Sequence, residues 1–135
     1  MCTTPIKLNP VILKISYTEL TQDVISPRAF SRRNLEFSSS CTDADGHPIH
    51  AGDIAAQIGQ ALDNLEQVLH ASGYTLANVV RLNYYTTDVD QMLANWAVLA
   101  ERLSTGGCRC TSTLLGVTRL AYPEMMIEIE ATAMK

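Results

Sequence analysis

The chain has 135 residues, of which 47% are apolar and 18% charged, and a formal net charge of -4. That length predicts a single domain over residues 1–135 that buries about two-thirds of its unfolded surface, and the composition excludes disordered, fibrous and repeat architectures. The acidic balance argues against broad electrostatic capture of nucleic acid or an anionic membrane, because such binding needs clustered cations and only Arg28, Arg32 and Arg33 cluster.

Residues 1–23 read as an irregular arm or edge strand around Val11-Ile12-Leu13. Ala29-Phe30 and Leu35-Glu36-Phe37-Ser38 flank the polar turn Arg32-Arg33-Asn34, which suggests a hairpin. Asp43-Ala44-Asp45-Gly46-His47-Pro48 is turn chemistry and predicts a loop. From 53 to 70, Ile54, Ile58, Leu62, Leu65 and Leu69 recur at helical spacing and predict a helix with one buried stripe, closed by Gly73. Val79-Val80-Arg81-Leu82-Asn83-Tyr84-Tyr85 is rich in β-branched and aromatic residues and predicts a strand. Met92, Trp96, Leu99 and Leu103 predict one further helix over 90–103, ended by Gly106-Gly107. Leu115-Gly116-Val117 and the alternating run 127–133 predict two strands on either side of a turn at Pro123.

These elements predict an α+β sandwich, a single mixed sheet with two helices packed on one face. Two helices leave the other face bare, and burial of that face by self-association in a closed cyclic oligomer is the simplest expectation.

Several segments together are similar to a known family over about residues 29–133. Gly52-Asp53-Ile54-Ala55-Ala56-Gln57 with Leu62-Asp63-Asn64-Leu65 resembles its first helix, and Asn78-Val79-Val80-Arg81 its central strand. Ser112-Thr113-Leu114-Leu115-Gly116-Val117-Thr118-Arg119-Leu120 and Ile127-Glu128-Ile129-Glu130-Ala131 resemble its signature strand pair. The family is RidA/YjgF, the enamine and imine deaminases. The resemblance implies a chorismate-mutase-like fold and a homotrimer whose sheets build a central barrel, with substrate clefts between subunits. It also implies hydrolysis of a reactive enamine or imine to a keto acid and ammonia, without metal or cofactor. A ribonuclease or translation-inhibiting activity, linked to some members, fits poorly with the acidic balance.

Carried across residue by residue, Glu128 matches the closing-strand glutamate thought to position or activate water. Glu130 shares its face by the period of a strand. Without the resemblance, both would read as solvated or as salt-bridging carboxylates at a subunit contact. Ser39 matches a strand-end serine, although Ser40 and Cys41 replace the glycine and glutamine that normally follow. Ser112 stands where the family has its carboxylate-binding arginine, and Leu114 where it has a cysteine. Ser26 replaces a pocket tyrosine and Trp96 a pocket asparagine, although Trp96 also belongs to an apolar stripe and reads equally as core. Losing the arginine costs a ligand carboxylate roughly 1.5–3 kcal/mol, about 10- to 150-fold in affinity. Arg109 lies an odd three residues before Ser112, on the opposite face of a regular strand. It would substitute for the arginine only if the chain bends at Gly106-Gly107, and otherwise reads as a surface cation.

Cys41 with His47 and His50, or Cys108-Arg109-Cys110, lacks the second matching ligand pair of a closed zinc site, so no metal is expected. No stretch reaches the roughly 20 apolar residues of a membrane span, and the first residues lack the pattern of a secretory leader. A cytoplasmic location is therefore the expectation, with Cys2, Cys41, Cys108 and Cys110 reduced. The leading expectation is a trimeric enzyme acting on a small enamine, imine or related unsaturated intermediate larger than aminoacrylate. The alternative is a non-catalytic trimer that binds or signals a small metabolite.

Overall fold

The computed structural model describes residues 34–135. The N-terminal arm, the first half of the expected hairpin, the arginine cluster, Cys2 and Ser26 lie outside the described residues. In chain order the elements are β1 (Asn34–Ser40), α1 (Ile54–Ala71), β2 (Val79–Thr86), α2 (Val89–Ala94), α3 (Trp96–Thr105), β3 (Thr111–Gly116) and β4 (Ile127–Met134). Asn34, expected in a turn, already belongs to β1 and pairs with Met134.

The strands form one sheet in the order β1-β4-β2-β3. β4 runs antiparallel to both β1 and β2, and β2 runs parallel to β3. The expected strands around Pro123 therefore exist but do not pair with each other, because β2 lies between them. A parallel pair needs a crossover, and α2 and α3 supply it between β2 and β3.

The helix expected over 90–103 is broken at Asn95. Its side-chain amide donates to the Gln91 carbonyl at 2.9 Å, so a local side-chain bond competes with the helical ladder there. α1 starts at Asp53, whose carboxylate caps the Ala56 N–H at 3.0 Å. It ends as the chain turns through Gly73 at a φ of 78°.

α1 lies on the sheet across β1 and β4, and the Arg102 guanidinium of α3 ties to it through Asp63 at 2.6 Å and Glu66 at 2.9 Å. The core between helices and sheet holds Ile58, Leu62, Leu65 and Leu69 from α1 against Leu82, Tyr84, Ile129 and Ala131. Its sheet residues are the alternate ones, which leaves the intervening positions on a face that no helix among the described residues covers. Among the described residues no helix is long and apolar enough to cross a membrane.

Candidate functional site

Register fixes which side chains can meet. On the helix side, one row across the sheet reads Ser39, Ile129, Tyr84, Leu114, and the next reads Phe37, Ala131, Leu82, Ser112. On the open side the rows are Ser40, Glu128, Tyr85, Leu115; then Ser38, Glu130, Asn83, Thr113; then Glu36, Thr132, Arg81, Thr111. Ser112 and Leu114 thus share a face with the core, whereas Glu128 projects from the opposite one.

Ser39 and Leu114 share a row but stand on opposite edge strands. Three interstrand steps separate them, roughly 14 Å. Ser39 is buried, and its hydroxyl donates to the Ala61 carbonyl of α1 at 2.8 Å. Within one chain, therefore, the sheet keeps Ser39, Ser112 and Glu128 apart.

The β3 edge brings a different group together. Trp96, at the start of α3, packs edge-on against the Tyr84 ring, with centroids 5.4 Å apart and planes at 84°. Leu114, Cys108 and Cys110 pack on the same core, while Ser112 is exposed beside them. Burial, followed by the two neighbouring thiols, raises the Tyr84 phenol well above the ordinary tyrosine range. Arg109 is exposed between two half-buried cysteines, just before β3.

The open face is polar. Glu128 is half-buried, and the Ser38 hydroxyl donates to its Oε1 at 2.8 Å. The Tyr85 hydroxyl donates to Glu130 Oε2 at 2.6 Å, and that bond is the first cause of the raised Tyr85 pKa. Next to these, Glu36, Ser38, Arg81, Asn83, Glu130 and Thr132 line a shallow concavity. A carboxylate oriented by one hydroxyl keeps acceptor capacity for water or a substrate N–H.

Two buried amides that the sequence reading did not single out anchor the chain where it enters β4 and where it leaves β1. Gln57 on α1 donates to the carbonyls of His50 and Glu124 at 3.1 and 2.7 Å and accepts from the Met126 N–H at 2.8 Å. It pins the residues that lead into β4. Asn64, two turns on, donates to the Ser40 and Thr42 carbonyls at 2.8 and 2.9 Å and pins the end of β1. Their signal in the sequence is a polar residue on the buried side of an apolar stripe.

The histidine loop pairs with the chain at Cys41 through its backbone, the Ile49 N–H donating to the Cys41 carbonyl at 2.9 Å, but among the described residues the Cys41 thiol, fully buried, joins no cluster of potential metal ligands. Asp43, Asp45 and His47 place potential ligand atoms within 4.8 Å of one another. Asp43 Oδ1 accepts from the backbone N–H groups of Asp45 and His47, each at 2.9 Å, so the turn itself accounts for the cluster.

A family model described as endoribonuclease L-PSP matches residues 31–135. The chain is 34% identical over 84 residues to a RutC family protein of Pyrococcus horikoshii, a match covering 62% of this chain and 64% of that one. It is 31% identical over 104 residues to a chorismatase of Streptomyces rapamycinicus, covering 70% of this chain but only 30% of the chorismatase. The chain thus matches just under two-thirds and just under one-third of the lengths of these curated relatives. Among solved structures, a Rid family protein from Yersinia pestis superposes with a TM-score of 0.70 at 36% identity, covering 77% of this chain and 80% of that one. A YjgF/YER057c/UK114 family member from Mycobacterium tuberculosis gives 0.61 at 32%, covering 74% and 77%. The YjgF protein of Escherichia coli, 22% identical, shares the fold with a TM-score of 0.66 over 74% of this chain and 79% of its own.

Proposed function

The chain belongs to the YjgF/Rid family, and on that premise we propose a homotrimer of single 1–135 domains that processes a reactive small molecule of the enamine or imine class in clefts between subunits. The observation that carries this reading is the separation just described. One sheet holds Glu128 and Ser112 on opposite faces, with Ser112 on an edge strand, so a second copy is needed to bring the two groups to one ligand.

In this reading an enamine gains a proton at carbon and loses one from nitrogen to become an imine, water adds to the C=N carbon, and the adduct expels ammonia to leave a keto acid. Glu128, oriented by Ser38, positions the water or moves its proton. Ser112 offers a neutral hydrogen bond in place of a cation, and Leu114 and Trp96 add apolar and aromatic surface. Those residue types favour a ligand bulkier than aminoacrylate. Arg109 stays outside the cleft, Ser26 is assigned to the substrate pocket by resemblance alone, and Ser39 serves the strand end rather than the ligand. The site is proposed to work without metal or cofactor, in the cytoplasm. A ribonuclease reading has less support, because the open face carries Glu36, Glu128 and Glu130, which repel phosphates.

The test is ammonia release from freshly generated 2-iminobutyrate and from an aromatic α-imino acid. Little acceleration is expected with the first. With the second, acceleration should be lost in Glu128→Gln while binding persists. Retention of a small molecule with no turnover of either substrate would favour the alternative, a non-catalytic binding trimer, which the already engaged Glu128 carboxylate also suits. A monomer in native mass spectrometry would sink both.

A further inference from the structure

The connection from β3 to β4, residues 117–126, has to cross the end of β2, because β2 lies between those two strands. It is pinned on both sides of that end. The Val117 N–H donates to the Thr86 carbonyl at 2.8 Å, and the Thr87 N–H and the Thr86 hydroxyl donate to the Met126 carbonyl at 3.2 and 2.8 Å. Gln57, fully buried, holds the returning limb at the Glu124 carbonyl and the Met126 N–H. The Met125 N–H closes a turn on the Tyr122 carbonyl at 3.1 Å. These bonds make the connection a preformed arch.

Between the arch and Thr87 lies a crevice of about 300 Å³, at the lower end of the roughly 300–1,000 Å³ usual for small-molecule sites. It opens at the carboxyl ends of the parallel pair β2 and β3, where the loops of an open sheet part and leave room for a ligand. The covered part of its lining is apolar, made by buried Met125 and half-buried Leu120. The exposed part carries donors, the Arg119 guanidinium and the hydroxyls of Thr87, Thr118 and Tyr122. The ion pairs among the described residues take up Arg102 and His47 and leave Arg119 free.

We propose that this crevice is a binding site for a small organic carboxylate with an apolar or aromatic body. The guanidinium forks onto the carboxylate, the hydroxyls donate to its remaining acceptor positions, and Leu120, Met125 and the Tyr122 ring cover the body. A monoanion is the match, because the crevice offers one cation and Glu124 lies on the same arch. A phosphate dianion would meet too little positive charge there. The site is separate from the surface at Ser112, which stands near the start of β3, whereas the crevice lies past its end. Its occupancy does not depend on the enamine reading.

Phenylacetate and its neutral amide, phenylacetamide, are the probes, titrated into the full chain by calorimetry and by NMR of the backbone amides. Phenylacetate should bind with shifts centred on Thr87 and residues 117–126, and the amide should bind at least about 10-fold more weakly. Arg119→Ala, a change at an exposed position, should weaken phenylacetate by about 10- to 150-fold, the value of a charged hydrogen bond. Arg119→Lys should restore only part of that, because an ammonium lacks the fork. Glu128→Gln and Ser112→Ala should keep the parent affinity, so failure of the enamine reading and failure of this site give different results. No binding at millimolar phenylacetate, an unchanged affinity in Arg119→Ala, or shifts centred on Ser112 and Leu114 would overturn the proposal. Tighter binding of phenyl phosphate than of phenylacetate would overturn the assignment to a carboxylate.

Discussion

Ile129 and Glu130 are neighbours on β4 with opposite surroundings. Ile129 is fully buried between Ser39 and Tyr84 under α1, whereas Glu130 is exposed on the open face, where its carboxylate accepts from Tyr85. The helix side spends its residues on cohesion and keeps one accessible edge, at Ser112 and Leu114. The open side carries ionisable groups already joined in pairs, Ser38 with Glu128 and Tyr85 with Glu130. The lesson is that stability and candidate chemistry are divided by the period of a strand, not by regions of the chain.

The sharpest way to break that division is to truncate the two neighbours. Ile129→Ala should cost about 2–5 kcal/mol through lost burial and the cavity left behind. Glu130→Ala, at an exposed position, should stay within about 1 kcal/mol of the parent. Urea denaturation at several protein concentrations checks both. A concentration-dependent loss in Glu130→Ala would place that residue at the contact between copies that the proposed trimer requires.

Next in size is Ser112→Arg, which puts a cation at the accessible edge. It should tighten binding of a small carboxylate such as 2-oxobutyrate by about 10- to 150-fold, the value of a charged hydrogen bond. Calorimetric titration measures this, and an unchanged affinity would place the carboxylate site away from β3. The ring contact beside that edge is worth less. Trp96→Leu should lose about 0.5–1.5 kcal/mol beyond the change in buried area, and chemical denaturation paired with Tyr84→Leu in a double-mutant cycle isolates the coupling.

Much of this division was legible in the sequence. The stripe Ile54, Ile58, Leu62, Leu65 and Leu69 is buried as its spacing predicts, and Ile127, Ile129, Ala131 and Ala133 alternate inward as a strand with one covered face requires. Local periodicity carries that information. It does not carry the pairing partner of a strand, so the insertion of β2 between β3 and β4 was not readable, nor was the roughly 14 Å that this order puts between Ser39 and Leu114. Polar residues were harder still. Asn95 interrupts a helix through one side-chain bond, and Gln57 and Asn64 matter for which distant carbonyls they reach. For Glu128, the spacing of β4 gave the face, but its hydrogen bond to Ser38 comes from a strand 90 positions away in sequence.

The smallest expected effect lies in alkali and separates the faces by titration. Tyr85 has its pKa raised, first by the hydrogen bond to Glu130, then by burial and by the charges of Glu130 and Glu128. A phenol that holds its proton more tightly folded than unfolded adds stability that is complete below the ordinary tyrosine value of about 10, and loses it as pH climbs through the raised folded value. Tyr85→Phe should therefore be slightly less stable near neutral pH and should show a shallower decline above pH of about 10. Because Tyr85 is largely solvent-facing, screening keeps the difference small, so matched urea midpoints across the alkaline range are the measurement to use. Parallel curves for the two proteins would show that the Tyr85 to Glu130 bond does not persist in solution. That would leave the Ser38 to Glu128 pair as the only fixed carboxylate on the open face among the described residues.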